Sequence, residues 1–281
     1  MARRARLDAE LVRRRLARSR EHASSLIADG KVTVGGMVAA KPATGVTADA
    51  PIVVRDAEDP GWASRGAHKL LGALDAFGPG GLSVTGKRCL DAGASTGGFT
   101  DVLLRAGARS VIAADVGRGL LDWRLRTDER VVVLDRTNAR ALTPDRLGGQ
   151  VELVVSDLSF ISLRLVLPAL TECALPGADL VPMIKPQFEV GKDRLGSGGV
   201  VRDPELRARA VRDVLAEAAR SGLRTLGVTA SPLPGPSGNV EYFAWLRRAG
   251  AGNEADPARI TADDMTGVEE LVSVAVREGP Q

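Results

Sequence analysis

From about residue 84 onward, the chain alternates between short apolar runs and amphipathic stretches of helical length. The apolar runs are predicted strands at residues 88–90, 110–114, 131–134, 151–155, 180–184, 225–229 and 242–246. Predicted helices fall between them, for example at 99–105 and 205–220. Strands that alternate with helices form a mainly parallel sheet covered on both faces. The pattern therefore predicts an α/β fold whose ligands bind at the carboxyl ends of the strands.

The first 55 residues differ from the rest of the chain in charge. They contain eleven Lys and Arg against five Asp and Glu, a net charge of +6, whereas the remainder has 27 basic and 30 acidic residues. Spacing of apolar residues predicts two short helices there, with Asp8 and Ser19 as N-caps, followed by a small sheet. A basic module joined to a slightly acidic body is typical of a protein that binds a polyanion through one domain.

The length of 281 residues fits about two domains. Structure-breaking residues Asp59-Pro60-Gly61 separate the basic module from the rest of the chain. We therefore predict a first domain at residues 1–58, a linker at 59–68, a second domain at 69–250 and a C-terminal extension at 251–281. The extension contains a last predicted helix at 263–277, to which the sequence assigns no role.

Several classes of protein are disfavoured by composition. No apolar stretch approaches the roughly 18 residues of a membrane-spanning helix, and no apolar signal core follows the basic N-terminus, so we expect a cytoplasmic protein. Only two cysteines, Cys89 and Cys173, and two histidines, His22 and His68, are present. They leave little room for a disulfide framework, a metal site or a Ser-His-Asp triad, and we expect no bound metal.

A glycine-rich segment from Asp91 to Phe99, D-A-G-A-S-T-G-G-F, lies between the first predicted strand of the sheet and its helix. Its spacing is not G-x-G-x-x-G, which disfavours a pyrophosphate-binding dinucleotide loop. Asp115 ends the second predicted strand, where an acid typically accepts hydrogen bonds from ribose hydroxyls. Asp91, the glycines and Asp115 together suit a nucleoside that bears an amino acid, and S-adenosylmethionine is one.

Chemically active side chains follow two further strands. Asp157 comes after the strand at 151–155, and Lys185 directly follows the strand at 180–184. A lysine beside an aspartate in a partly dry cleft can orient or deprotonate a hydroxyl. Glu241, just before the last strand, and Lys69, on the helix before the sheet, can face the same cleft.

Taken singly, these residues also have ordinary explanations. A solvated strand end accounts for Lys185 equally well, and surface charge explains Lys69 and Glu241 better than function does. Only six of the 38 basic residues are lysines, however, and Lys69 and Lys185 are two of them. Such a bias to arginine indicates that the remaining lysines include positions where an amine is needed.

The chain contains several longer motifs in a fixed order. They are R-L-D near the start, S-R-x-x-A-x-x-L-I-x-x-G-x-V-x-V-x-G, S-R-G-A-x-K-L, D-x-G-x-S-T-G-G-F-T, D-R-T-N, D-L-S-F-I-S-L, I-K-P-Q-F-E and G-N-x-E-Y. On these motifs, residues 86–248 resemble the FtsJ-like 2′-O-ribose methyltransferases, and residues 1–55 resemble the RNA-binding module of ribosomal protein S4. The combination resembles the TlyA family of ribosomal RNA methyltransferases, some of which are named haemolysins.

This resemblance implies a Rossmann-like class I methyltransferase fold. That fold has a seven-stranded sheet with helices on both faces, here beside a small α+β RNA-binding domain. The family's catalytic tetrad maps onto Lys69, Asp157, Lys185 and Glu241. The residues implied for the S-adenosylmethionine site are Asp91, Gly93, Ala94, Ser95, Gly97, Gly98, Asp115, Val116 and Asn138. One departure is Gly66, where some relatives have alanine, and it concerns only the stiffness of the linker.

The resemblance also implies a substrate and partners. The expected reaction is methyl transfer to a ribose 2′-hydroxyl of ribosomal RNA, with a cytidine as the target and Lys185 as the base. RNA or ribosomal subunits are then the partners, and neither a membrane nor an obligate protein partner is expected. The residues expected to contact RNA phosphates are Arg6, Arg18, Arg20, Lys31 and Lys41. Aromatic residues are only 3% of the chain, so we expect shape and backbone recognition to dominate over base stacking.

Other functions compete with this one. A membrane-active haemolysin is disfavoured because the basic helices lack Trp and Phe. A ribosome-binding assembly factor without catalysis is disfavoured by the intact tetrad. An NAD-dependent enzyme is disfavoured by the spacing of the glycine loop.

Overall fold

The structure is a computed structural model that describes residues 5–14, 16–17, 19–47, 50–54, 61–235, 237–250 and 262–279. The chain divides into two compact units between Gly61 and Trp62. Residues 62–68 of the predicted linker therefore belong to the second unit, where Trp62 is buried. The bounds of the four predicted segments otherwise stay predictions.

The described residues of the first unit form two small helices and two small sheets. The helices are α1 (Leu7–Arg13) and α2 (Arg20–Ala28), and the strands are β1 (Ala5–Arg6), β2 (Val32–Val34), β3 (Met37–Val38), β4 (Gly45–Val46) and β5 (Ile52–Val54). Strands β1 and β4 pair antiparallel, and β2 lies between β3 and β5. Leu7 and Leu11 of α1 are buried with Leu26 and Ile27 of α2, so the two helices share one apolar core.

The two predicted caps of these helices have different outcomes. Ser19 caps α2, because its hydroxyl accepts a hydrogen bond from the His22 backbone N–H at 3.2 Å. The prediction of Asp8 as a cap is wrong. Helix α1 begins at Leu7 with Arg6 at the N-cap position, so Asp8 lies in the first turn instead. Apolar spacing places a helix but not its first residue, which depends on the preceding backbone.

The second unit contains the predicted sheet. Its strands are β6 (Arg88–Ala92), β7 (Ser110–Ala114), β8 (Val131–Leu134), β9 (Val151–Ser156), β10 (Ala174–Ile184), β11 (Leu223–Ala230) and β12 (Tyr242–Arg248). Its helices are α3 (Gly66–Phe77), α4 (Gly98–Arg105), α5 (Trp123–Arg126), α6 (Pro144–Leu147), α7 (Leu167–Cys173), α8 (Pro186–Glu189), α9 (Pro204–Arg220) and α10 (Ala262–Glu278).

Among the described residues, seven strands form one sheet in the order β11-β12-β10-β9-β6-β7-β8. Strands β8, β7, β6, β9 and β10 are parallel, whereas β12 runs antiparallel to both β10 and β11. All seven predicted strands are present. Strand β10 begins at Ala174, six residues before its prediction, because Pro176 and Gly177 interrupt the apolar pattern where the pairing with β9 is irregular.

Apolar clusters cover both faces of the sheet. On one face, side chains of α7, α9 and α10 pack against the strands, and on the other, α3 and α4 do so. The predicted α/β architecture, with helices on both faces and a separate small module before it, is therefore confirmed. Among the residues that the structure describes, no helix is long and apolar enough to span a lipid bilayer.

Helix α9 illustrates how local sequence sets these elements. Asp203 precedes it and accepts a hydrogen bond from the Glu205 backbone N–H at 2.9 Å, and Pro204 occupies the first helical position. Val211 and Leu215, four residues apart, lie on the buried face. The helix lies within one residue of its predicted bounds, 205–220.

The helix in the C-terminal extension is part of the core. Helix α10 packs against α9 and β11, and its residues Val272, Ala275 and Val276 are buried in the same cluster as the sheet. Strand β11 is the edge of the sheet, and exposed edges invite pairing with other chains. The extension therefore stabilises the second unit beside its edge strand.

The packing of α10 can be tested by substitution. Val272 is fully buried, and the neighbouring Ser273 is exposed. We expect Val272→Asp to lower the free energy of unfolding by about 3 kcal/mol or more, because it places a carboxylate among apolar side chains. Ser273→Asp adds the same charge on the exposed side, and we expect a change below about 0.5 kcal/mol. Urea unfolding measures both, and equal effects would contradict this packing.

Candidate active site

Strand pairing brings three of the predicted catalytic residues to one edge of the sheet. Asp157 directly follows β9, Lys185 directly follows β10, and Glu241 directly precedes β12. Ile184 of β10 lies opposite Tyr242 of β12 in the antiparallel pair. The residue after β10 and the residue before β12 are therefore neighbours, and the parallel pairing of β9 with β10 adds Asp157.

Lys185 and Asp157 form an ion pair. The Lys185 Nζ atom is 2.5 Å from Asp157 Oδ1, and it also donates a hydrogen bond to Ser159 Oγ at 3.0 Å. Lys185 is only 7% exposed. A buried amine needs such acceptors, because an unpaired charge away from water is strongly unfavourable. The arrangement fixes the direction of the Lys185 side chain.

Lys69 and Glu241 form a second ion pair, with 2.5 Å between Lys69 Nζ and Glu241 Oε2. Lys69 reaches the strand ends from the first turn of α3, and its amine also lies 3.9 Å from the Met183 sulfur. Gln187 donates from Nε2 to the other Glu241 oxygen at 3.2 Å. Space beside this carboxylate is tight, since a Cβ on Gly235 would lie 2.6 Å from Glu241 Oε1.

The glycine loop opens a small cavity next to these pairs. The cavity measures about 110 Å³ and is lined by Ser64, Gly66, Gly93, Ala94, Ser95, Thr96, Gly98, Phe99 and Asp157. Gly93 has a φ of +91°, and a Cβ there would lie 2.6 Å from the Asp157 carbonyl oxygen. Glycine is therefore required where the loop passes the strand end. Asp157 lines the cavity and also pairs with Lys185, so the two features are contiguous.

Asp91 lies at the end of β6, directly before the glycine loop, and is completely buried. Its Oδ2 atom accepts a hydrogen bond from the Thr100 hydroxyl at 2.7 Å, whereas Oδ1 has no hydrogen-bond partner. Burial, more than the nearby charge of Asp157, raises the pKa of this carboxyl to about 7. A buried acceptor without a donor is unusual in proteins, and Asp91 itself is not among the residues that line the cavity.

The other predicted donor-site residues differ in position. Asp115 is tied to the glycine loop, because its Oδ2 atom accepts from the Ser95 backbone N–H at 2.9 Å and Oδ1 accepts from Gly117 N–H at 2.7 Å. Val116 and Asn138 are exposed and do not line the cavity. The Asn138 side-chain oxygen accepts from the Arg140 backbone N–H. Gly97, with a φ of +98°, is the residue before α4.

Two stretches of chain around Lys185 are joined by hydrogen bonds and by a contact between aromatic rings. The buried Glu189 carboxylate, at the end of α8, accepts hydrogen bonds from the Ser162 hydroxyl and the Leu163 backbone N–H, both at 2.6 Å. The Phe160 and Phe188 rings also contact, with centroids 5.5 Å apart. Residues 157–164 and 185–189 are therefore held together on both sides of the Lys185–Asp157 pair.

Comparison with known proteins identifies the family. Residues 62–248 match the FtsJ-like methyltransferase family, and residues 5–52 match the S4 domain. The chain belongs to the FtsJ-like methyltransferase family. The resemblance that the motifs predicted is thereby confirmed, as are the methyltransferase fold and the S4 module.

Relatives of this FtsJ-like methyltransferase match over most of its length. It is 59% identical to the 16S/23S rRNA (cytidine-2′-O)-methyltransferase TlyA of Mycobacterium tuberculosis, over all of both chains. It is 42% identical to YqxC of Bacillus subtilis, named as an rRNA methyltransferase, over 89% of this chain and 88% of that one. A structure from Streptococcus thermophilus that carries a hemolysin name is 34% identical, with a TM-score of 0.72 over 99% of this chain and 98% of that chain.

Several residues at the site of this methyltransferase were not singled out from the sequence. Ser64, Gly66, Thr96 and Phe99 line the cavity, and the first two lie in the segment predicted to be a linker. Their motif, S-R-G-A-x-K-L, was visible, but a motif does not reveal which residues face a cavity. Phe160 was also missed. It is 92% exposed with a φ of +65°, a strained backbone for an aromatic residue.

The segment at the start of the methyltransferase unit packs against α4 through a cation–π contact and a hydrogen bond. The Arg105 guanidinium lies over the Trp62 ring, 4.1 Å from its centroid, and the Ala63 backbone N–H donates to Asp101 Oδ2 at 2.9 Å. Asp101 and Arg105 themselves form an ion pair of 2.8 Å. These contacts place Ser64 against the start of α4, where a Cβ on Gly98 would clash with its hydroxyl oxygen.

In the S4 domain, four of the five predicted RNA-contacting residues are described and exposed, and Arg18 lies outside the described residues. Arg6 and Arg20 both pair with the buried Asp8, at 2.9 and 3.0 Å. The Arg6 guanidinium holds the pKa of the Asp8 carboxyl well below its usual range. Asp8 thereby gathers two arginines at one place on the surface. Lys41 directly precedes Pro42, whose carbonyl accepts a hydrogen bond from the Asp8 backbone N–H, and Lys31 lies between α2 and β2.

Asp91 is expected to make stability depend on pH. Because its pKa is raised to about 7, the folded chain holds a proton between about pH 4 and pH 7 that the unfolded chain has released. Stability therefore falls as the pH rises through this window, by about 4 kcal/mol at roughly 1.4 kcal/mol per pKa unit. We expect Asp91→Asn to remove most of this fall.

Urea unfolding at pH 4 and pH 8 measures this effect. The matched control is Asp75→Asn, which changes an exposed aspartate on α3. We expect the control to keep the pH dependence of the unchanged protein. The same pH dependence in Asp91→Asn as in the unchanged protein would show that Asp91 is not the group responsible.

Proposed function

We propose that this protein transfers a methyl group from S-adenosylmethionine to a ribose 2′-hydroxyl of ribosomal RNA, with a cytidine as the target. One observation carries the proposal. Asp157 lines the cavity beside the glycine loop and also forms the ion pair with Lys185, so the cavity and an amine lie side by side. The name of the relative from Mycobacterium tuberculosis supports the substrate. Ribosomal RNA as substrate places the reaction in the cytoplasm.

The residues around the cavity fit this methyl donor. The unpartnered Asp91 oxygen suits the ammonium group of the donor's amino acid, and the Asp115 carboxylate suits its ribose hydroxyls. The glycine loop lets a ligand approach the backbone, and it is formed by Gly93, Ala94, Ser95, Gly97 and Gly98. We assign the exposed Val116 and Asn138 to the adenine end. When bound, the donor supplies an activated methyl group on a sulfonium, and we expect no metal ion to take part.

The catalytic step needs a stronger nucleophile than a neutral hydroxyl. We assign Lys185 to accept the proton of the 2′-hydroxyl once its amine has lost the proton that it carries in the ion pair, and Asp157 to orient that amine. The 2′-oxygen then forms its bond to the methyl carbon as the carbon–sulfur bond breaks. Lys69 and Glu241 hold the ribose in line with the methyl group, and such positioning supplies much of the rate.

Substitution of Lys185 tests this assignment. We expect Lys185→Arg and Lys185→Ala to abolish methylation while donor and RNA binding remain, because a guanidinium stays protonated and alanine has no base. The assay incubates methyl-labelled donor with purified ribosomal subunits and maps the labelled nucleotide. Lys87→Arg is the matched control, since Lys87 precedes β6 and pairs with Asp179 instead.

Four outcomes, the last of them from a separate red-cell lysis assay, would overturn the proposal in different ways. Substantial turnover by either Lys185 variant would refute the role of the base. Absence of label from RNA with the unchanged protein would refute the reaction. Tight binding to subunits without label would support a non-catalytic assembly factor, and lysis of red cells by the purified protein would support the haemolysin alternative.

RNA binding is assigned to the S4 domain and to the exposed Phe160. Arg6 and Arg20, gathered by Asp8, are placed to bind phosphates, as are Lys31 and Lys41. Phe160 next to the Lys185 loop offers an aromatic ring on which an unstacked base can lie. We propose that the phosphate contacts contribute the larger part of the affinity for RNA. Phe160 then positions the target nucleotide.

The phosphate contacts predict a dependence on salt. We expect the RNA affinity of the unchanged protein to fall steeply with salt concentration, and Lys41→Ala to reduce the slope of log K against log salt by about 0.7 to 0.9. Arg220→Ala, on the surface of α9, is the control and should leave the slope unchanged. Binding measured between about 50 and 200 mM salt checks both. A flat response of the unchanged protein would contradict phosphate recognition.

A further inference from the structure

Two acceptors surround the amine of Lys185. Asp157 Oδ1 is 2.5 Å from Lys185 Nζ, and Ser159 Oγ is 3.0 Å from it. The Ser159 contact has the geometry of a hydrogen bond from the amine, whereas Asp157 Oδ1 contacts the amine as its ion-pair partner. Asp157 belongs to the tetrad, but Ser159 has no role in the reaction as described so far. Ser159 lies in the D-L-S-F-I-S-L segment, two residues after Asp157.

The geometry of a neutral amine explains what a second acceptor such as Ser159 can contribute. A neutral primary amine has two N–H bonds and one lone pair, arranged tetrahedrally around nitrogen with the carbon of its own chain. If Asp157 and Ser159 each accept one N–H, both donors are used, and the lone pair has a single remaining direction. With Asp157 alone, rotation about the Cε–Nζ bond leaves two directions for the lone pair.

We propose that Ser159 is a positioning residue that, together with Asp157, aims the lone pair of Lys185 at the ribose 2′-hydroxyl. The inference rests on the proposed function and names a further residue for the same reaction. In the step, the O–H bond of the 2′-hydroxyl breaks and an N–H bond forms on Lys185. The oxygen gains the methyl carbon, the donor leaves as a neutral thioether, and the proton passes from Lys185 to solvent after release of the product.

The backbone around Ser159 is held on both sides. On one side, Asp157 is fixed by its ion pair, and on the other, the Phe160 ring contacts Phe188. Further along, the Glu189 carboxylate accepts a hydrogen bond from the Leu163 backbone N–H, a contact that does not need the Ser162 side chain. A serine in a loop held at this many points keeps its hydroxyl near the amine before substrate arrives. Such preorganisation is what a positioning residue requires.

The test compares two serines of the same loop. Ser159→Ala removes the hydroxyl that contacts Lys185, whereas Ser162→Ala removes one that contacts Glu189 instead. Ser159→Thr keeps a hydroxyl at the same position. For each variant, kcat and the KM values for S-adenosylmethionine and RNA are measured, with the unchanged protein and Lys185→Arg assayed alongside.

We expect Ser159→Ala to lower kcat by about 10- to 100-fold with both KM values within about twofold of the unchanged protein, since only orientation is lost. Ser159→Thr should restore most of kcat, and Ser162→Ala should lower it by less than about threefold. An unchanged kcat in Ser159→Ala, a loss confined to KM, or an equal loss of kcat in Ser162→Ala would overturn the proposal. If the unchanged protein labels RNA and Lys185→Arg does not, such results refute the role of Ser159 alone. Failure of the unchanged protein refutes the proposed function itself.

Discussion

The main constraint on this structure is the burial of two lysines beside the carboxyl ends of the parallel strands. Lys69 and Lys185 are only 6% and 7% exposed, and each has a carboxylate 2.5 Å from its amine. Removal of one partner would leave the other charge uncompensated away from water, which costs several kcal/mol. The strand register, the tight turn at Gly235 and the fastened loops around α8 all maintain these two contacts. In the proposed reaction, both amines act in fixed directions.

The sequence predicted most of this edge because the positions of strand ends are readable. Apolar runs located β9 and β10, and the residues that follow them, Asp157 and Lys185, had to share an edge in a parallel sheet. Lys69 was different, since a lysine on an amphipathic helix is usually solvated. Its pairing with Glu241 depends on how α3 packs on the sheet, which no local pattern specifies. The assignment of Lys69 and Glu241 to the predicted site therefore came from the resemblance to a known family and not from residue spacing.

The features that the sequence analysis missed or assigned wrongly have a common physical cause. The cavity wall at Ser64 and Gly66 comes from chain contacts distant in sequence, such as Ala63 with Asp101, 38 residues apart. Similarly, Asp8 was predicted as a cap because its type fits one, but its partners Arg6 and Arg20 lie on either side of α1 in sequence. Asp91 was found from its place after a strand, yet its raised pKa results from complete burial, which the sequence does not show. Buried acids without full partners are tolerated at functional sites.

Strand β12 has a consequence for the order in which the protein is made. Among the described residues it is the last strand in sequence, yet it lies between β10 and β11, which are both synthesised earlier. The sheet therefore stays divided until about residue 248 has left the ribosome. Lys69 cannot form its ion pair until Glu241, 172 residues further along the chain, has been synthesised. Contacts this distant in sequence form late and slowly during folding. The four residues of the proposed tetrad can therefore come together only after Glu241 has been translated.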